Sequence, residues 1–211
     1  MKTLFPIIAA VMAGSLTALA QAATASPASD LDRLVFADQS TPRRVDILDA
    51  AITRDLLNDK LAVVSFIGTD CLIVCITRTM EIDRLARTLP ADLKRRVVFL
   101  AINTDPTTGD PQRLRRFGED LLGRDAEVHI LASDVKATKA LLATIGHPAS
   151  ALPEPPAMVM LFDRRGQIAM TYGGDPLDTS RLRQDLGVLD TFTEGLGPSP
   201  TGAADTPHAP H

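Results

Sequence analysis

The sequence predicts an α/β fold with a central mixed sheet and helices on both of its faces. Three observations support this fold class. Apolar runs alternate with amphipathic helical segments from residue 61 onward, which is typical of a sheet built with crossover helices. The runs are continuously apolar, which indicates strands covered on both faces. The last two runs flank the turn 163–166, which predicts a closing hairpin.

The first strand and the first helix of this sheet flank the only two cysteines in the chain. Residues 61–68 are rich in β-branched side chains and end at a glycine, which favours a buried strand. Residues 76–89 carry apolar side chains at three-four spacing, which predicts an amphipathic helix. Cys71 and Cys75 therefore lie where a strand leads into the start of a helix.

Two further strand–helix pairs follow. Residues 97–102 form a second apolar run, and Pro111 suits the first turn of the next helix with Asp110 as its N-cap. Residues 128–132 predict a third strand, and Ser133 is the expected N-cap of the helix after it. Both pairs agree with a parallel arrangement of the first three strands.

A hairpin and a last helix close the predicted domain. Residues 157–162 and 167–172 are the paired strands, and residues 177–189 are the helix. Before the strand at residues 61–68, residues 34–36 predict a short additional strand and residues 45–58 predict a short amphipathic helix. From residue 61 the predicted order is therefore β-α-β-α-β-α-β-β-α.

The cysteine pair and a later proline complete the layout of a thioredoxin-like fold. In that layout the cysteines stand at the start of the first helix, and a proline stands just before the hairpin strand. Such a proline is commonly cis and faces the cysteines, so we predict a cis peptide bond at Pro156.

The N-terminus has the features of a secretory signal peptide. A short basic start precedes an uncharged apolar run, residues 4–20, and small residues suited to cleavage follow. The alternative is an uncleaved membrane anchor. The predicted location is therefore periplasmic or otherwise extracytoplasmic. The predicted segments are a signal peptide, residues 1–22; a flexible lead-in, 23–33; the thioredoxin-like domain, 34–190; and a disordered tail, 191–211.

Composition and charge exclude some classes of partner. The net charge is −4 at pH 7 and the chain has no Trp and one Tyr. No dense basic block is present, so nucleic acid and anionic membrane surfaces are poor candidates as partners.

The spacing of the cysteines points to thiol chemistry or to a soft metal. Residues four apart share one face of a helix, and a helix start favours a thiolate over a thiol. In thiol–disulfide exchange we expect Cys71 to attack and Cys75 to resolve the mixed disulfide. The same two thiolates could hold Cu(I). The insert 72–74 is apolar, which indicates either a surface for docking a partner or burial that makes the pair inert.

These motifs resemble the Sco/SenC family, named for the synthesis of cytochrome c oxidase. Members have a strand, two cysteines separated by three residues at a helix start, and a second strand that ends in an Asp-Pro loop. Here these are residues 63–66, Cys71 and Cys75, and residues 98–106. The resemblance implies a thioredoxin-like copper chaperone or thiol–disulfide protein. It also implies copper as the ligand, and an oxidase subunit or a redox or copper donor as the partner.

The sequence departs from the family pattern at the third copper ligand, which in members is a histidine just before the hairpin strand. Counting back eight residues from Asp163 gives Pro155 instead. Members also have a proline after each cysteine, where this chain has Leu72 and Ile76. The remaining histidines lie elsewhere: His147 in the same proline-rich loop, His129 in a predicted strand, and His208 and His211 in the tail.

We therefore expect copper handling or thiol–disulfide exchange by Cys71 and Cys75 during oxidase assembly. As an enzyme, the chain would be a thiol–disulfide oxidoreductase rather than a hydrolase or transferase. The alternative is a degenerate thioredoxin-fold binding or scaffold module without metal or redox activity.

Overall fold

A computed structural model describes residues 29–36, 52–68, 73–105, 111–132, 135–151 and 154–196. Within these ranges the strands are β1 Leu61–Ile67, β2 Val97–Asn103, β3 Val128–Leu131, β4 Val159–Phe162 and β5 Ile168–Tyr172. The helices are α1 Asp30–Phe36, α2 Arg54–Leu57, α3 Ile73–Arg87, α4 Ala91–Lys94, α5 Pro111–Leu122, α6 Val135–Thr144 and α7 Thr179–Asp190, with a 3-10 turn at Ala149–Ala151.

The five strands form one mixed sheet in the order β3-β2-β1-β4-β5. β1, β2 and β3 run parallel, whereas β4 is antiparallel to both β1 and β5. The carboxyl ends of the parallel strands therefore meet the start of β4 and the end of β5 at one edge. We call this the carboxyl edge; Ile67, Asn103, Leu131, Val159 and Tyr172 mark it. The opposite edge, where β1 and β2 begin and β4 ends, is the amino edge.

Helices cover the sheet on both faces, as the sequence predicts. On one face a core cluster joins the strands to α3, α5 and α7. On the other face a second cluster joins them to α1, α2 and α6. All seven residues of β1 and all seven of β2 are buried, because each strand packs against helices on both sides.

The hairpin turn at the amino edge is held by a buried carboxylate. Asp163 Oδ1 accepts hydrogen bonds from the backbone N–H groups of Arg165, at 3.0 Å, and Gln167, at 2.9 Å. Gly166 has a φ of 70°, a conformation that favours glycine. The turn predicted at residues 163–166 is therefore confirmed.

The strand predicted at residues 34–36 is wrong, since these residues end helix α1. Leu31, Leu34 and Val35 follow helical spacing and are buried against the sheet. Ser29 Oγ accepts a hydrogen bond from the Asp32 N–H at 3.1 Å and so caps the helix. A three-residue apolar run fits either structure, and the buried face extends back to Leu31.

Other differences concern boundaries and one peptide bond. Of the helix predicted at 45–58, α2 is the helical part that the structure describes, and residues 45–51 lie outside the described ranges. Helix α3 begins at Ile73, one turn earlier than predicted. The cis prediction at Pro156 is wrong: among the described residues the cis bond is Asp175–Pro176. Pro156 is instead buried in a trans segment before β4.

Several predictions fall on residues that the structure does not describe. These are the signal peptide, most of the lead-in, the end of the tail, and the caps Asp110 and Ser133. Within the described ranges, every helix is too short or too polar to cross a membrane.

Candidate functional site

Cys75 lies in the first turn of α3, close to the carboxyl edge of the sheet. Its side chain is buried, with 4% exposed, and it is disulfide-bonded. Cys71 is the only other cysteine in the sequence and lies outside the described residues. The structure therefore places one of the two predicted site residues directly, in its oxidised state.

Packing of α3 against the sheet fixes the position of Cys75. Thr79 Oγ1 donates a hydrogen bond to the Cys75 carbonyl at 2.9 Å, within the buried face of the helix. Ile82 and Leu85 continue this face into the core beside β1. The amide groups of the first turn of α3 point away from the helix and give this turn a positive partial charge, which favours a sulfur that becomes anionic.

The apolar residues between the cysteines are exposed where the structure describes them. Ile73 is 80% exposed and Val74 is 38% exposed. Met80, two turns along the same helix, is also exposed. Of the two interpretations of this insert, a surface open to a partner agrees with Ile73 and Val74, and burial does not.

The end of β2 is tied to the end of β1 beside this helix. The Thr104 N–H donates to the Ile67 carbonyl at 2.9 Å. Asn103 Oδ1 accepts from the Asp105 N–H, and its Nδ2 donates to the Asp105 carbonyl, both at 3.2 Å. These buried contacts fix the point at which the chain leaves β1 toward the cysteines.

Within the described ranges, the structure brings no histidine to the cysteine helix. Pro155 and Pro156 are buried just before β4, whose first residue, Val159, pairs with Ser65 near the carboxyl edge. Position 155 therefore lies at the end of the sheet where the family ligand is expected, but it carries no donor atom.

The two other described histidines lie elsewhere. His147 follows α6, which starts after the carboxyl end of β3. The ten residues of α6 span about 15 Å, so His147 lies at the end of the helix away from the carboxyl edge. Its Nε2 is buried without a hydrogen-bond partner. His129 shares the sheet face of Leu131, opposite the face that α3 covers. His208 and His211 lie outside the described residues.

The donor set in the described part of the chain is therefore poor in metal ligands. It contains no group of three or more His, Cys, Asp or Glu side chains that could hold a metal ion. Two thiolates suit Cu(I) in low coordination, whereas Cu(II) also needs imidazole. A Cys71–Cys75 thiolate pair would therefore suit Cu(I), and no described histidine lies on the cysteine helix to complete a Cu(II) site.

Tyr172 ends β5 at the carboxyl edge and is held as a neutral phenol. Its hydroxyl donates to Asp185 Oδ2 at 2.7 Å. Burial raises the pKa of Tyr172 well above its ordinary value, and the bond to Asp185 raises it further. The phenol therefore stays protonated across physiological pH and acts as a hydrogen-bond donor.

Sequence reasoning did not single out Arg78, which is buried on α3 with 4% exposed. Its Nη2 donates to the Gly174 carbonyl at 3.0 Å, just beyond the end of β5. An arginine on an amphipathic helix is expected to be exposed. The available signal was its position, three residues after Cys75 on the same helical face.

Comparisons with known proteins agree with this architecture. The SCO1/SenC family model matches residues 44–186. A SCO1/SenC family lipoprotein from Bacillus anthracis has a TM-score of 0.60 and 18% identity, covering 72% of this chain and 95% of that chain. ScoI from Bradyrhizobium japonicum, solved with copper bound, has a TM-score of 0.56 and 20% identity, covering 71% and 98%.

A third structure is BsSco, described as a member of the Sco family of cytochrome c oxidase assembly proteins with a disulfide switch. Its TM-score is 0.55 with 15% identity, covering 73% of this chain and 97% of that chain. No curated protein matches the chain. These likenesses confirm the thioredoxin-like α/β fold.

Proposed function

Since the chain belongs to the SCO1/SenC family, we propose that it is an extracytoplasmic thiol–disulfide protein that assists the assembly of cytochrome c oxidase. Cys71 and Cys75 form its reactive pair. The observation that carries this proposal is the disulfide of Cys75 in the first turn of α3. The location depends on cleavage of residues 1–22 as a signal peptide.

Burial of Cys75 supports the division of roles between the two cysteines. An attacking thiolate must reach the partner, whereas a resolving thiol needs to reach only the first cysteine. Cys75 is 4% exposed, which suits the resolving role. Cys71 is then the attacking cysteine.

The proposed exchange proceeds in two balanced steps. The Cys71 thiolate attacks a disulfide of the partner, and one partner sulfur leaves as a thiolate. Cys75 then attacks the Cys71 sulfur, closes the intramolecular disulfide and releases the second partner sulfur. Two electrons pass to the partner, whose sulfurs take up the protons that the two cysteines lose.

The exposed start of α3 supplies a surface for that partner. Ile73 and Val74 directly precede Cys75 and are exposed. An apolar surface next to a reactive pair favours contact with another protein. By relation to the Sco proteins, the partner is an oxidase subunit or a redox or copper donor.

Titration in glutathione redox buffers tests the thiol–disulfide proposal. We expect the folded wild type to interconvert reversibly between disulfide and dithiol. Cys75→Ser should accumulate a mixed disulfide with glutathione at Cys71, because the resolving thiol is missing. Cys71→Ser should accumulate much less of a mixed disulfide with glutathione, because the remaining Cys75 is buried. A pair that never exchanges in the folded protein would leave the alternative, a binding or scaffold module.

Copper handling is the second candidate function, favoured by the copper-bound ScoI structure of the same family. In the reduced protein Cys71 and Cys75 would hold Cu(I) through two thiolates. Titration against bathocuproine should show one Cu(I) bound per chain, lost in Cys71→Ser. Cu(II) should bind no better to the wild type than to Cys71→Ser, since Pro155 provides no imidazole. Absence of Cu(I) binding would remove this candidate and leave thiol exchange.

A further inference from the structure

Arg78 is a buried cation without a carboxylate partner among the described residues. Its one hydrogen bond there goes to a neutral acceptor, the Gly174 carbonyl. Arg164 is similarly inaccessible, but it pairs with Asp190 at 2.8 Å. Burying a charge is unfavourable unless an opposite charge compensates it. The charge of Arg78, which no described carboxylate compensates, is therefore available to a group that becomes negative.

The geometry of α3 directs this charge toward the cysteine turn. Arg78 is three residues after Cys75, and both lie on the buried face of the helix with 4% exposed. Long side chains on a helix point back over the preceding turn, which here contains Cys75. The acceptor Gly174 lies just beyond β5, at the carboxyl edge where α3 begins.

We propose that Arg78 is a positioning residue whose charge stabilises the reduced, negatively charged form of the Cys71–Cys75 pair. This inference rests on the proposed thiol–disulfide function. A positive charge beside the pair stabilises the reduced state relative to the disulfide and makes the disulfide a stronger oxidant. Of the other charged side chains near this point, Glu81 and Arg84 on α3 and Asp175 and Asp178 after β5 are exposed or half-buried, so water screens them more than Arg78. Asp105, after β2, is buried at the same edge, and it is present in every variant compared below.

The equilibrium to be measured is the reduction of the Cys71–Cys75 disulfide by glutathione. Two glutathione thiols give two electrons to the Cys71–Cys75 disulfide and become one glutathione disulfide. Their protons pass to the protein sulfurs, or to solvent where a sulfur remains a thiolate. The equilibrium constant of this reaction measures the stability of the dithiol relative to the disulfide.

The test compares Arg78→Met, Arg78→Lys and the matched control Arg84→Met in glutathione buffers. Arg84 is on the same helix, is exposed, and its side chain forms no ion pair with a described residue. We expect Arg78→Met to shift the equilibrium about tenfold toward the disulfide, as the loss of a nearby charge should. Arg78→Lys keeps the charge and should stay within about threefold of the wild type, and Arg84→Met should not shift.

Urea unfolding provides a second measurement that does not require exchange with glutathione. Wild type and Arg78→Met are each unfolded as the disulfide and after phosphine reduction. The substitution should raise the unfolding equilibrium constant of the reduced protein about tenfold more than that of the disulfide form, matching the shift in glutathione. An equal effect in both redox states, or an unchanged glutathione equilibrium, overturns the role of Arg78. Wild type that does not exchange with glutathione contradicts the proposed function alone, because the urea comparison still decides the role of Arg78.

Discussion

Asp190 accepts hydrogen bonds from two arginines at the amino edge. Arg96 reaches its two oxygens through Nε at 2.7 Å and Nη2 at 2.5 Å, and Arg164 reaches it through Nη2 at 2.8 Å. The hydrogen bond with Arg96 lowers the pKa of Asp190, and the charges of Arg96 and Arg164 lower it further. The folded protein therefore favours the ionised carboxylate.

We expect this carboxylate to make stability depend on pH in the acid range. Because its pKa is lower when folded, its contribution is fully present above the unfolded pKa, about 3.9, and is lost as pH falls through the folded pKa. The difference in free energy of unfolding between wild type and Asp190→Asn should be constant near neutral pH and shrink below about pH 4. Urea unfolding over a pH series measures it.

Asp92→Asn is the control for that measurement. Asp92 is 78% exposed in its pair with Arg95, so its replacement should change stability little at any pH. The free energy of unfolding of the wild type is compared with that of Asp190→Asn at pH 3 and at pH 7. If the difference is the same at both pH values, the role given to the two arginines is contradicted.

Arg78 shows which part of the site could not be predicted from the sequence. The cysteine spacing and the apolar insert are local patterns, and both pointed to this helix start. The acceptor of Arg78 is 96 residues away in sequence, so no local pattern indicates that its guanidinium is buried. The absence of a histidine at position 155 was readable directly, because it requires only counting along the chain.

Helix α3 has a buried face and an exposed start, and one isoleucine lies on each. Ile82 is fully buried between the sheet and the other helices, whereas Ile73 is 80% exposed. Ile82→Ala should lower the free energy of unfolding by about 2–5 kcal/mol, because it leaves a cavity in the core. Ile73→Ala should change it by no more than about 0.5 kcal/mol.

Urea unfolding of the oxidised variants decides this comparison. The two substitutions remove the same side-chain atoms from one helix, so they differ mainly in the burial of the position. A cost for Ile73→Ala as large as that for Ile82→Ala would mean that Ile73 is packed in solution, and it would remove the exposed surface proposed for a partner.

The elements themselves were predictable to different extents. Strands β1 and β2 were located within one residue, because strands covered on both faces give long unbroken apolar runs. The end of helix α1 was predicted as a strand. The helix has only seven residues, so its helical periodicity covers just two turns, and its buried residue Leu31 lies before the apolar run 34–36. The cis prediction at Pro156 followed from the thioredoxin layout and not from local chemistry.

At the scale of the whole molecule, the carboxyl edge and the amino edge of the sheet differ in the role of their charged and reactive side chains. The carboxyl edge holds Cys75 and Arg78. The amino edge holds an ion network in which Arg164, in the hairpin turn, contacts Asp190 at the end of α7 and the Asp59 carbonyl before β1. This network connects the hairpin, the last helix and the entry to the central strand. Its role should therefore be stability, independent of thiol chemistry.

Arg164→Met tests that separation. Removing one partner of a largely buried pair leaves Asp190 with Arg96 alone, so we expect the free energy of unfolding to fall by about 1–3 kcal/mol. Arg165→Met is the control: Arg165 is 51% exposed and its partner Glu194 is 90% exposed, so stability should hardly change. The glutathione equilibrium of both folded variants should equal that of the wild type, because the substitutions lie at the edge opposite Cys75. A shifted equilibrium in Arg164→Met would show that the two edges are coupled through the sheet.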